Sequence, residues 1–414
     1  MEKSLRSPPA PGTRVADKGR ALDVAIVITL AAGAAYVAWL ATGIGDHISQ
    51  LMDSKADDVW FEADVARVFG NMTDRGSDNF RSQVHPLFAL IAYCLTHLFR
   101  LFPGVSNLQS VRLAIALPAA LWLGGFFALL RILRCRRLDA TVFSLVAATS
   151  SSAFFWVSIP ETYLLGSLTI VAVLVVTALS ERRPIPVWLD VGMAAAALSM
   201  LLTNWMFALI SLVVRRRLTV AVQLGVNAFV AVVFLWAIQK FLFPSSHFFL
   251  GDHEKWPAVP PVLSVPPIFF LDSLVMPDIR LIANDHPWLW QKLSVQGALT
   301  WKLTYAGAVA LIAWLVLLIL GLYAAATLPQ LKKFRIVLGL SIAGQLALHL
   351  VYGNESFLYA LNWLPLLVTA AALATLTRLR WISVGVAVIF VVSAAIHNFH
   401  ELKFALDYVA HAGS

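Results

Sequence analysis

The stretch Ala56–Phe88, ADDVWFEADVARVFGNMTDRGSDNFRSQVHPLF, is polar and acid-rich where its surroundings are not. Upstream, Asp23 to about Thr42 is almost wholly apolar, and downstream apolar runs recur to the C-terminus. Over 414 residues the chain is 59% hydrophobic and only 13% charged, with a mean hydropathy of +0.78. A water-soluble fold of this size cannot bury so much apolar surface, whereas hydrocarbon solvates it directly. Many windows reach the roughly 18–20 apolar residues needed to cross a bilayer. Helices are expected, because an open sheet edge leaves unpaired backbone groups in lipid and no strand-length alternation is visible. The chain reads as an all-α polytopic membrane protein.

The distribution of the +8 net charge sets the topology. Basic residues form short runs between apolar segments: Arg131 to Arg137, Arg182–Arg183, Arg215 to Arg217, Lys332 to Arg335, and Arg378 with Arg380. Cytoplasmic loops carry this pattern, and runs so short and separated by spans exclude a nucleic-acid face. Placing them and the basic N-terminus inside predicts about eleven spans, near 23–43, 111–133, 138–158, 163–180, 187–203, 205–214, 218–242, 302–325, 336–352, 357–376 and 381–397. The expected organisation is a cytoplasmic tail, 1–22, then a single transmembrane domain, 23–414. Within that domain, 44–110 and 243–301 are long outer loops and 398–414 is an outer tail. The first apolar run is too long for a signal peptide and lacks a convincing cleavage site, so it is expected to be retained. Cys94 and Cys135 lie far apart and support neither a disulfide framework nor a thiolate metal site.

One apolar stretch breaks the map. Counting His85 to Phe102 as a span would reverse every later loop, so it is expected to lie at the outer interface as a helix. The spans either side of Thr203-Asn204-Trp205 are short and read as a hairpin with a polar turn. Within the opening stretch, Val59, Phe61, Val65, Val68 and Phe69 alternate with Asp58, Glu62, Asp64 and Arg67. That spacing predicts a second amphipathic helix beginning near Asp57-Asp58. The aspartates then either cap this helix or, partly desolvated at the surface, act as a general base towards a hydroxyl. Arg67, Arg75, Arg81 and His85 follow as candidate donors for a phosphate, unless the arginines merely pair with Glu62, Asp64, Asp74 and Asp78.

A single span, then an outer loop opening on paired acids and ending in His-Pro-apolar, resembles the GT-C glycosyltransferases. Protein O-mannosyltransferases and the lipid A aminoarabinose transferases belong to that superfamily. Asp57-Asp58-Val59-Trp60-Phe61 is similar to the mannosyltransferase Asp-Glu-Val-His-Phe, His85-Pro86-Leu87 to His-Pro-Pro-Leu, and Arg112-Leu113 with Pro118 to an Arg-Leu-Pro at the second span. The likeness covers roughly residues 23–140. It departs where Asp58 replaces Glu and where a single proline follows His85. One alignment register makes Asp57 the catalytic acid; the register through Ala66-Arg67 makes it Asp58. The resemblance implies a GT-C-type bundle in the plasma (bacterial inner) membrane, with its site on the extracytoplasmic face. It also implies inverting transfer of a sugar from a polyprenyl-phosphate donor to a lipid or glycan acceptor. No nucleotide-binding motif is present, which suits a lipid-linked donor. No cofactor is implied, and a divalent cation stays open.

Other outer-face groups are candidates for substrate binding. Glu161 and Tyr163 fall at a span junction, where a carboxylate beside hydrocarbon is costly unless hydrated or used. Glu355 and Tyr359 sit in YGNESFLY, with Tyr352, Asn362, His349 and Gln345 close enough to line a polar cavity or to bond between spans. Asp252-His253 and Asp285-His286 suit a sugar, a metal or a pyrophosphate, although their spacing matches no metal motif; solvated loop residues are the competing reading. Trp256, Trp288 and Trp290 either stack on sugar or anchor the loop, and Asn71-Met72-Thr73 matches the glycosylation sequon. A transporter or flippase of lipid-linked sugars, or an O-antigen-ligase-like enzyme, are the rival functions. The first is weakened by the concentration of acids on one face and by the lack of an internal repeat.

Overall fold

In lipid a backbone amide finds its partner four residues along its own chain, so each long apolar run becomes a helix. The computed structural model describes residues 11–249, 263–296, 302–352 and 355–412. Leaving single turns unlabelled, its helices are α1 (Pro11–Ala41), α2 (Val65–Thr73), α3 (Phe88–Arg100), α4 (Asn107–Ile132), α5 (Arg137–Ala148), α6 (Ser151–Trp156) and α7 (Tyr163–Ser180). They continue as α8 (Val187–Met200), α9 (Trp205–Arg215), α10 (Leu218–Leu242), α11 (Tyr305–Thr327), α12 (Lys332–His349), α13 (Ala360–Ala372) and α14 (Arg380–Ala412). Among the described residues the only strands are a short antiparallel pair, β1 (Arg280–Ile282) and β2 (Lys292–Ser294). Among the described residues seven helical segments are long and apolar enough to cross a membrane: those containing α1, α4, α7, α10, α11, α13 and α14. The remaining expected spans are also helical but shorter, interrupted or, in α12, opened by three basic residues. The third breaks at Ser150, whose hydroxyl accepts from the Ala153 amide and starts α6, and the hairpin at Thr203 separates α8 from α9.

The misfit segment after His85 is α3. Thirteen residues at 1.5 Å each reach only about 20 Å, short of a roughly 30 Å hydrocarbon core. It packs on α2 and α4, and its C-terminal Leu98, Leu101 and Phe102 point into open space.

Small and polar residues let the central helices approach. Ser167 on α7 accepts from the Trp122 indole of α4 at 2.9 Å and donates to the Leu361 carbonyl of α13 at 2.6 Å. At Gly321 of α11 an added Cβ would lie 2.7 Å from the Ala370 carbonyl of α13, so only glycine permits this separation.

Ion pairs gather the basic runs at one end of the bundle. Arg131 and Arg137 hold Asp23 near the start of the first span, at 3.1 and 2.7 Å. Arg215 and Arg216 share the fully buried Asp190, and Arg380 chelates Asp139. Glu181 accepts from the Phe334 amide in the first turn of α12. Four acids thus tie the basic loops together, and the Ala56–Phe88 stretch lies at the other end.

Three boundaries differ from expectation. The amphipathic helix begins at Val65, so Asp57 and Asp58 do not cap it. The first helix takes in residues from Pro11, and α14 continues through the expected outer tail as far as Ala412. There Asn398 bonds the Thr149 and Leu274 carbonyls, and Tyr408 donates to the Gln291 carbonyl.

Candidate active site

The sequence Asp57-Asp58-Val59-Trp60-Phe61-Glu62-Ala63-Asp64 alternates acid and apolar blocks, and the fold separates them. Val59, Trp60 and Phe61 are fully buried. Trp60 lies 5.7 Å from Phe155, and Phe61 lies 5.2 Å edge-on to Phe357. Pulling these side chains inward forces left-handed backbone at Asp58, Phe61 and Glu62, with φ of 59°, 52° and 61°. Such a conformation in a residue as bulky as phenylalanine is held only by surrounding packing, at about 1–3 kcal/mol each. The acids on both sides of the anchor remain at its rim.

The second outer loop closes over this rim. The Leu293 amide donates to the Val59 carbonyl at 2.8 Å, Trp290 to Lys55 at 2.9 Å, and the Asn284 amide group to Asp57 at 2.9 Å. This places Lys292 of β2 among acids, 3.1 Å from Asp285, 3.5 Å from Asp58 and 3.9 Å from Glu62. Burial works against the ammonium, but these carboxylates outweigh it and raise its pKa. Asp58 is raised by burial and by Asp57, against the pull of Lys292; Glu62 is likewise raised by burial. Carboxylate oxygens of Asp57, Asp58 and Asp64 lie within 4.8 Å of one another, close enough for a single cation.

Behind Asp64 opens a cavity lined by residues from four parts of the chain. The first outer loop contributes Glu62, Asp64, Arg67, Arg81 and His85; the α7 start contributes Glu161 and Tyr163; the α8–α9 hairpin contributes Thr203; α12 and the turn after it contribute His349, Tyr352 and Tyr359. Arg67 is one turn along α2 from Asp64 and donates to it from Nε at 3.1 Å, while Arg81 approaches the same carboxylate at 3.6 Å. Both guanidinium groups stack on Phe80, at 5.5 and 5.2 Å. Arg67 and Arg81 thus present guanidinium N–H groups in a cavity that they share with the carboxylates of Glu62, Asp64 and Glu161. Glu161, raised chiefly by burial, accepts from its neighbouring Thr162 amide. Tyr163 and Tyr359 meet edge-on at 5.4 Å.

His85, a candidate phosphate donor, directs its one ring N–H away from the cavity. Its Nδ1 lies 2.8 Å from the Met200 carbonyl, which only accepts, so Nδ1 carries the proton and Nε2 faces Thr162 as a lone pair. Burial, reinforced by Arg67 and Arg81, lowers its pKa to about 3. A neutral His85 positions the His-Pro turn, which Gln239 of α10 also clamps through the Pro86 carbonyl and the Leu90 amide.

The other expected residues divide. Glu355 is buried beside the acid rim, accepts from Ser294 of β2 at 2.5 Å, and is pushed up to about 7 by burial. Arg75 lies away from the cavity and donates to the Leu242 carbonyl of α10. His286 is exposed and stacks on Trp288 outside the cavity. Asp252 and His253, like Trp256, lie outside the described residues. Asn71 of the sequon is buried, with its amide group donating to Asp78 and Ser77, so it is not an accessible acceptor. Lys292 was not anticipated: a lone lysine in a loop carries no signal until β2 sets it beside Asp58.

No protein-family model matches the sequence, and no curated protein sequence matches it. Among solved structures, the crystal structure of ArnT from Cupriavidus metallidurans bound to undecaprenyl phosphate is similar, with a TM-score of 0.51 at 15% identity. The alignment covers 93% of this chain and 77% of ArnT. The fold is GT-C-like. Within this fold α2 and α3 pack on each other and on α4.

Proposed function

We propose that the protein is a glycosyltransferase that moves a sugar from a polyprenyl-phosphate donor to a hydroxyl of a lipid or glycan acceptor. The observation that carries this is the acid rim, of which Glu62 and Asp64 line a cavity holding Arg67 and Arg81, while a carboxylate oxygen of Asp58 lies within 4.8 Å of one of Asp64. Asp58 serves as general base: it is partly desolvated and held by Lys292, whereas Asp57 is exposed. The acceptor oxygen forms its bond to the anomeric carbon as its proton passes to Asp58. The bond from that carbon to the phosphate oxygen breaks on the opposite side, which inverts the centre. Arg67 and Arg81 stabilise the charge left on the polyprenyl phosphate. The undecaprenyl phosphate held by ArnT, which has a similar fold, supports this donor class. Segregation of the basic runs to the far end supports an extracytoplasmic site, since those loops mark the cytoplasmic side.

The test uses purified enzyme and a polyprenyl-phosphate sugar. Asp58→Asn is expected to lower transfer about 10²–10⁴-fold while carrier binding is kept, and Asp57→Asn to leave most of the rate. Arg67→Ala or Arg81→Ala is expected to weaken carrier binding. Full transfer by both asparagine variants would refute the general-base assignment.

A further inference from the structure

The far end of the bundle carries a second cleft that the proposed catalysis does not use. It encloses about 380 Å3 and is lined by Arg182, Arg183, Arg215, Arg216 and Lys333, within the size range of clefts that hold small ligands. Three helices run from one site to the other. α7 starts at Tyr163 in the cavity and ends at Ser180 in the cleft; α9 follows Thr203 and ends at Arg215; α12 begins beside Lys333 and ends at His349. The eighteen residues of α7 put about 27 Å between the two.

The charge in this cleft is not balanced. Asp190 gives one carboxylate oxygen to Arg215 and the other to Arg216, so one carboxylate serves two guanidinium groups. Arg182, Arg183 and Lys333 make no ion pair among the described residues. The neighbouring Glu181 is turned to the Phe334 amide of α12. Burial and the fields of Arg134 and Arg131 lower the pKa of Arg182, so positive charge converges there rather than dispersing. Cytoplasmic topology requires only that loops be basic; it does not require three loops to surround one cleft. Apolar surface flanks the cleft: Val187 and Trp188 follow Ile185, and Val213 and Leu218 bracket the arginine run, all exposed.

We propose that this cleft is a binding site for a phosphate group, presented by an anionic phospholipid headgroup or by a soluble phosphate. The guanidinium forks match phosphate oxygens geometrically, and basic pockets between membrane helices take lipid headgroups in this way. The site stands independently of the sugar-transfer reading.

The experiment is native mass spectrometry of the full chain in detergent, titrated in parallel with phosphatidylglycerol, phosphatidylcholine and inorganic phosphate. Phosphatidylglycerol adducts that survive where phosphatidylcholine does not, and that fall at least fivefold in Arg182→Gln/Arg183→Gln/Lys333→Gln, identify a lipid headgroup. Inorganic phosphate that binds alone, or displaces the lipid with the same dependence on these residues, identifies a soluble source. Single substitutions of the three residues provide the readout if the triple variant does not fold, and Arg100→Gln, at the end of α3, controls for general loss of charge. Equal binding by wild type and variants, or no preference for either phosphate over phosphatidylcholine, overturns the proposal.

Discussion

At the residue scale, environment decides what each acid can do. The raised pKa of Asp58 means that a base at this position loses its charge at higher pH than an ordinary carboxylate. The acid limb of the kcat/KM profile is therefore expected above the usual carboxylate range near 3.9, and Lys292→Met should move it higher by removing the cation that opposes the shift. Glu355 has a stability consequence. Its folded pKa of about 7 lies above its ordinary value of 4.5, so between those values the folded state keeps a proton that the unfolded chain has released. Stability from this group therefore falls as pH rises through that window and levels off above it. Glu355→Gln should flatten the dependence and gain up to about 3 kcal/mol at pH 8, read as melting temperature against pH. The same fall in the variant as in the wild type would assign it to other groups.

At the element scale, the acid loop and the helix contacts have different vulnerabilities. The Trp60–Phe61 anchor holds three left-handed residues in place, so Phe61→Ala removes packing without relaxing the turn. A loss of about 3–5 kcal/mol is expected, with carrier binding lost along with stability. Gly321→Ala inserts a methyl 2.7 Å from the α13 backbone, and α11 must move away. Its melting temperature in detergent should drop by several degrees, whereas Gly339→Ala on α12, which meets nothing within 4 Å, should be neutral or slightly stabilising. Equal effects at the two glycines would remove close approach as the reason for Gly321.

At the scale of the whole molecule, the distribution of charge predicts orientation. In a cysteine-free background, Phe102→Cys beyond α3 should react with a membrane-impermeant maleimide added outside intact cells. Arg183→Cys at the basic end should react only after permeabilisation. The reverse pattern would invert the topology and put the acid rim in the cytoplasm.

Composition and charge periodicity determined much of this protein by themselves. A chain this apolar needs lipid or its own helices around it, and short basic runs between spans predict how the segments alternate. The interruption of that alternation at His85 exposed α3, and the acids beside Trp60-Phe61 marked the rim. Tertiary structure alone decided the partners. The helix start at Val65 rather than Asp57, the neutral His85, the removal of Arg75 and His286 from the cavity, and the arrival of Lys292 all depend on contacts across the chain. Lys292 lies far along the sequence from Asp58, yet it approaches to 3.5 Å because β2 pairs onto the acid loop. Local patterns report which face of a segment meets water or lipid, but a pKa depends on distance and burial, and those exist only once the chain has folded.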